Sequence, residues 1–235
     1  MAFNPNNYKA PEPRKLQVIL VLDVSGSMSG DKIDSLYDAT TDMIESFAAA
    51  QAKEQSIDVA IITFGSSVEL HTPYTAVKDL QNRGISRFHA DGMTPMGTAL
   101  RMAKDMIEDK DLTPSRSYRP AVVLVSDGEP NDEWKGPMNA FISSGRSMKC
   151  QRFAVAIGND ADRDVLEQFT QNKDAVFFAE DAKDLSEHFK TITMTATSCT
   201  ELSQPAQGSP GGTAVSSSLK FDNSTASDPD DDDLY

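Results

Sequence analysis

The chain has 235 residues, a formal net charge of −14, and 39% hydrophobic and 25% charged side chains. That length allows one large domain with a tail, or two small domains, and the apolar share is enough to bury a core. The negative excess repels phosphate backbones, which argues against nucleic acid as the main partner, and it favours cations and basic protein surfaces.

The N-terminus, Met1-Ala2-Phe3-Asn4-Pro5-Asn6-Asn7, has no basic segment leading into an apolar stretch, so no signal peptide is expected and the product reads as cytoplasmic. Residues 1–14 hold Pro5, Pro11 and Pro13 and few apolar side chains, which reads as an extended arm. Residues 15–198 form the expected globular part, and it begins with the nearly continuous apolar run Leu16 to Leu22. Such a run suits a parallel strand buried on both faces, and it is far short of the roughly 20 residues that cross a bilayer. Residues 31–54 follow with helical spacing of Ile33, Leu36, Tyr37, Met43, Ile44 and Phe47. A second strand is expected over 57–64, an edge strand over 67–71 and a helix over 97–108. Ala121 to Val125 and Phe153 to Ile157 read as two more buried strands. Helices near 162–170 and 182–195 flank a last strand at 175–178. Residues 199–235 are an expected disordered acidic tail, rich in Ser, Gly, Pro and Asp. From residue 201 onward seven acidic residues face one base, Lys220, for a net −6. Cys150 and Cys199 make no disulfide scaffold, and a reducing cytosol would keep them as thiols.

Alternation of strands and helices means an α/β doubly wound, mostly parallel, Rossmann-like sheet with helices on both faces. Ligands of such sheets sit beyond the carboxyl ends of the strands. Three loops there carry chemistry. The first strand runs into Asp23-Val24-Ser25-Gly26-Ser27, and the third buried strand into Ser126-Asp127-Gly128. Between them lies Asp91-Gly92-Met93-Thr94-Pro95-Met96-Gly97, which opens a helix. Two carboxylates and three hydroxyls are all hard oxygen donors, which selects Mg²⁺, Mn²⁺ or Ca²⁺ over zinc or copper. Gly26 is expected to let the backbone bend so that both serine hydroxyls face one point. Neutral hydroxyls leave the ion under-neutralised, so it attracts a carboxylate from outside, which favours docking over storage.

Asp-x-Ser-x-Ser after an apolar strand, Thr94 in a Gly-x-Thr-Pro loop and Asp127 in Ser-Asp-Gly resemble the von Willebrand factor A (vWA) domain and its metal-ion-dependent adhesion site (MIDAS). The resemblance implies the vWA fold with one antiparallel edge strand, and Asp23, Ser25, Ser27, Thr94 and Asp127 as the metal site: Ser25, Ser27 and Thr94 contacting the ion through their hydroxyls, Asp23 and Asp127 binding it directly or through water. It implies a non-enzymatic module whose vacant metal position takes a carboxylate from a partner protein. Asp127-Gly128-Glu129-Pro130-Asn131-Asp132-Glu133-Trp134, and the stretch from Asp91 to Leu100, are similar to bacterial tellurite-resistance (TerY-type) vWA proteins. That likeness implies a phosphorylation triad with a protein-phosphatase-2C-type phosphatase and a Ser/Thr kinase. The acidic tail departs from the group, and Asn131 stands where Thr is expected.

Other readings compete. Ser25 and Ser27 alone would cap the helix starting near Asp31, and Thr94-Pro95 alone would be an ordinary helix start. Asp23 also suits the nucleophile of a Mg²⁺-dependent phosphohydrolase, but Ser25 holds the position where such enzymes keep an acid/base aspartate. Met93, Met96, Met102 and Met106 read as packing, with Met28 and Met96 also placed to line a docking face. His71, His89 and His188 lack metal-like spacing and read as surface residues. Ser216, Ser217, Ser218, Ser224, Thr225 and Ser227 are candidate phosphorylation sites in the tail.

Overall fold

The structure is a computed structural model that describes residues 14–51, 55–158, 161–180 and 182–201. The expected arm before Arg14 and the acidic tail after Glu201 lie outside the described residues. The strands are β1 (Arg14–Asp23), β2 (Gln55–Phe64), β3 (Val68–Ala76), β4 (Ala121–Ser126), β5 (Gln151–Ile157) and β6 (Val176–Ala179). The helices are α1 (Asp31–Ala50), α2 (Val77–Arg83), α3 (Met96–Glu108), α4 (Lys135–Ser143), α5 (Arg163–Thr170) and α6 (Ala182–Glu201).

The six strands form one sheet in the order β3-β2-β1-β4-β5-β6. Every pairing is parallel except β2 with β3, so β3 is the antiparallel edge expected for residues 67–71. Alternate residues of β1 feed opposite cores. Leu16, Val18, Leu20 and Leu22 pack with the inner faces of α1, α2 and α6. Ile19 and Val21 pack with α3, α4 and α5. Burial on both faces is why the run is continuously apolar. Each fully buried Leu, Ile or Phe here contributes about 1.5–3 kcal/mol of transfer free energy.

Two short helices, α2 and α4, were not expected from the sequence. The seven residues of α2 are too few for a clear 3.6-residue period, and Gly136 and Pro137 in the first turn of α4 mask its pattern. The last helix runs to Glu201, beyond the expected stop at 195, burying Leu185, Phe189, Ile192 and Ala196 on one face.

The topology fixes where the chemistry lies. From β1 the chain steps to β2 on one side, whereas β4 lies on the other and leads outward to β5. The crevice between the ends of β1 and β4 is the switch point of the sheet. Asp23 is the last residue of β1, and Asp127 follows the last residue of β4.

Candidate functional site at the carboxyl edge of the sheet

Of the expected site residues, Asp23, Ser25, Ser27 and Asp127 are linked to one another by hydrogen bonds at this switch point, whereas Thr94 is tied to the loop after β4 through its backbone. Asp23 and Asp127 are buried, at 0% and 1% exposure. The two oxygens of Asp23 are held by different loops. Oδ1 accepts the Ser25 backbone N–H at 2.9 Å, and Oδ2 accepts the Ser126 hydroxyl at 2.6 Å. Burial pushes the Asp23 carboxyl above its ordinary range, the Ser126 and Ser25 bonds pull it back, and the neighbouring Asp127 charge adds to the rise.

The Ser27 hydroxyl donates to Asp127 Oδ1 at 2.7 Å and lies 3.1 Å from the Ser25 hydroxyl. Ser25 Oγ, Ser27 Oγ and Asp127 Oδ1 thus form a continuous row of oxygens. Lys32, in the first turn of α1, donates from Nζ to the other oxygen of Asp127, Oδ2, at 2.5 Å.

Neither serine caps α1. Its N-cap is Gly30, with no side-chain cap bond, and Ser25 instead opens a 3-10 turn over Gly26–Met28 without a side-chain bond to it. Ser-x-Ser is therefore free of the ordinary helix-capping role. Gly26, expected to bend the loop, does not adopt a positive φ; its neighbour across the crevice, Gly92, does, at 77°. Gly26 N–H donates to Gly92 O at 3.0 Å, so the two loops touch through their backbones. A Cβ on Gly92 would meet the Ser66 backbone at 2.4 Å, which leaves no room for a side chain.

Thr94 is buried, at 9% exposure, on the loop tied to both others. Asp91 N–H donates to Val24 O at 2.8 Å on the β1 side. On the β4 side, Thr94 N–H donates to Asn131 Oδ1, and Asn131 N–H returns a bond to Thr94 O, both at 3.2 Å. Thr94 is not the cap of α3. That role falls to Asp132, which accepts from Gly97 N and Thr98 N at 2.9 Å each, and from the Thr98 hydroxyl at 3.0 Å. Sequence reasoning missed Asn131 and Asp132 as positioning residues and Lys32 as a charge partner. Asp132 and Asn131 lie 34 to 37 residues from the groups they hold, beyond any local spacing signal.

Some neighbours differ from expectation. Met28 and Met96 are fully buried, so neither lines a docking face; the exposed methionine beside Thr94 is Met93, at 65%. Met28 turns into the core through the 3-10 turn, and Met96 begins the inner face of α3. His89 is exposed, but His71 and His188 are half-buried against Phe88 and Phe177. Burial lowers the His71 pKa. Trp134 is half-buried against the α3 side of the core, with Lys135 over its ring. Cys150 is a buried free thiol pushed up to about 12 by burial.

The donor set is oxygen only. Among the described residues, no three His, Cys, Asp or Glu side chains gather closely enough to hold a metal. A cation here would use two carboxylates and the hydroxyls around them. Adjacent ligands of an octahedral Mg²⁺ lie about 3 Å apart, and the Ser25–Ser27 and Ser27–Asp127 oxygens are 3.1 and 2.7 Å apart. The residues present fit a hard divalent cation.

A doubly wound sheet with a hydroxyl-and-carboxylate cluster at its switch point defines a class of α/β domain in which ligands are taken at the carboxyl edge. The sequence model of the von Willebrand factor type A domain matches residues 17–191, and the chain belongs to that family. It is 26% identical over 180 residues to human inter-alpha-trypsin inhibitor heavy chain H6, covering 70% of this chain and 13% of that protein. The fold is shared with proximal thread matrix protein 1 from the mussel byssus, solved with a zinc-occupied MIDAS motif, at a TM-score of 0.64 and 16% identity over 80% of this chain and 48% of that one. It is shared also with the vWF domain of the type V pili tip protein Mfa5 from Porphyromonas gingivalis, at a TM-score of 0.61 and 12% identity over 85% and 99%. The chain thus spans about an eighth of the human relative's length (13%) and about half of the mussel chain (48%). No helix among the described residues is long and apolar enough to cross a membrane.

Proposed function

We propose that the chain is a metal-dependent protein-binding module without a reaction of its own. Asp23, Ser25, Ser27, Thr94 and Asp127 hold one divalent cation in a MIDAS, and a partner protein completes its coordination with a carboxylate. The observation that carries this reading is the row of Ser25, Ser27 and Asp127 oxygens at 3.1 and 2.7 Å, beside a second buried carboxylate, Asp23. Two carboxylates balance the formal charge of a bound 2+ ion, so an anionic side chain is drawn by the open coordination position rather than by an under-neutralised ion. Mg²⁺ is the favoured ion, with Mn²⁺ and Ca²⁺ accepted by the same donors. The MIDAS of the mussel protein holds zinc, so the expected exclusion of zinc does not extend to every site of this kind.

The finer reading is a cytoplasmic bacterial layout. Residues 15–198 form the vWA domain, between the arm at 1–14 and the acidic tail at 199–235. The partners are then a protein-phosphatase-2C-type phosphatase and a Ser/Thr kinase of a tellurite-resistance triad. The support is the sequence of the stretches Asp91 to Leu100 and Asp127 to Trp134. The alternative, phosphate transfer to Asp23, is disfavoured by the site chemistry. Both Asp23 oxygens already accept hydrogen bonds from the chain, and Ser25 stands where an acid/base is needed.

Asp23→Ala should keep the fold and lose Mn²⁺ binding, measured by electron paramagnetic resonance of free Mn²⁺. Chelator should release partner proteins captured by the wild-type chain, and Asp23→Ala should capture none of them. Partner capture that survives both chelator and Asp23→Ala ends the docking mechanism. Mg²⁺-dependent turnover of a generic phosphate ester, lost in Asp23→Asn, would instead favour the enzyme.

A further inference from the structure

Lys32 is the one site neighbour that the metal reading does not use. Its ammonium lies 2.5 Å from Asp127 Oδ2, while the Asp127 side chain has no solvent exposure and that of Lys32 has 34%. The stem of Lys32 runs beside Gly158, where an added Cβ would lie 3.7 Å from Lys32 Cε. Asp127 accepts the Ser27 hydroxyl on Oδ1 and this ammonium on Oδ2. Among the described residues, the second buried carboxylate, Asp23, has only neutral hydrogen-bond partners. The positive charge facing this acidic pair therefore comes from Lys32.

We propose that Lys32 is a tethered cation that competes with the divalent metal for Asp127 and so sets the affinity of the site. The inference rests on the metal reading above. An ammonium has one charge and cannot bridge the hydroxyls of Ser25 and Ser27, whereas a divalent ion can engage the whole oxygen row. Without metal, Lys32 compensates the buried Asp127 charge, which would otherwise be strongly destabilising. When metal arrives at Oδ1, the ammonium on Oδ2 of the same carboxylate either stays and repels the ion or moves away. Because Lys32 is held on α1, it acts at high effective concentration and weakens every incoming cation alike. A weakly held ion gains most from a partner's carboxylate, so the same lysine couples metal retention to docking.

The test compares wild type, Lys32→Met, Lys32→Gln and Lys32→Arg by Mn²⁺ titration and thermal melting, with and without Mg²⁺. Lys32→Met keeps most of the apolar stem and removes the charge. The neutral variants should bind Mn²⁺ roughly tenfold more tightly than wild type, the scale of an ordinary coupling between two sites. Lys32→Arg should bind no more tightly than wild type. The neutral variants should also melt lower than wild type without metal and gain more from Mg²⁺; a merely structural lysine would lower both melts equally. Unchanged or weaker Mn²⁺ binding in both neutral variants, with wild type binding normally, overturns the role of Lys32 alone. Tighter binding in Lys32→Arg also overturns it, because charge would not be the cause. Neutral variants that stay unfolded even with Mn²⁺ overturn it as well, since the metal is expected to replace the ammonium. If wild type and every variant fail to bind Mn²⁺, the metal reading falls together with this one. Binding seen only in the neutral variants supports the competition in its strongest form.

Discussion

Among the described residues, two lysine–aspartate pairs lie at opposite ends of one sheet. At the amino end, Lys15 on β1 reaches Asp58 on β2 at 2.9 Å, with the lysine side chain 46% exposed and the aspartate 11%. At the carboxyl end, Lys32 reaches Asp127, whose side chain is wholly buried. The first pair has one further polar neighbour, the Ser56 hydroxyl at 3.5 Å. The second stands beside two hydroxyls of the loop after β1 and another buried carboxylate. A buried acid with a lysine is thus not itself a site. The difference is convergence: strands adjacent in the sheet supply the first pair, whereas the first turn of α1 and the loop after β4, which meet at the switch point, supply the second.

Three substitutions sharpen that contrast. Gly97→Ala should have the largest effect on stability. Its Cβ would meet Glu133 O at 2.4 Å and Trp134 Cα at 2.6 Å, forcing α3 from the loop after β4. Such overpacking costs about 1–3 kcal/mol. Calorimetry should show a lower melting point, and Mn²⁺ titration a weaker site. Asn131→Ala removes the acceptor for Thr94 N–H and should cost about 1 kcal/mol. It should weaken Mn²⁺ about tenfold, as removal of a group supporting a metal ligand does. Retained wild-type affinity would show that Thr94 needs no help from the loop after β4. Lys15→Met should shift stability by about 1 kcal/mol or less, because its partner keeps Ser56 and some solvent. Its Mn²⁺ affinity should match that of wild type. A large change there would break the distinction between the two ends.

Much of this was legible because the strands announce themselves. The runs Leu16 to Leu22 and Ala121 to Val125 are buried on both faces, and the polar residues that end them had to fall at the sheet edge. That reasoning located Asp23, Ser25, Ser27 and Asp127. It reached Thr94 through its loop, and α3 does start there, with Pro95 at its N-cap, but the side chain that caps the helix was missed. Asp132 caps α3 from across the crevice, and a cap supplied from another loop leaves no trace in local spacing. Lys32 left no signal in local spacing, since its partner lies 95 residues on. Met28 and Met96 misled because exposure near a site depends on which way a turn faces, and both turns face inward. The short helix α2 has too few turns to declare a period, and Gly136 and Pro137 mask the start of α4.

The backbone ties between the loops have an energetic consequence. Val24 N–H donates to Phe64 O, Asp91 N–H to Val24 O, Gly26 N–H to Gly92 O and Asn131 N–H to Thr94 O. This main-chain lattice stitches the end of β2, both flanking loops and the turn beyond β4 together before any ligand arrives. A seat assembled in advance forfeits little freedom on contact. Even a small, shallow footprint can then hold its guest, and the speed of capture is governed by encounter rather than by rearrangement of the host.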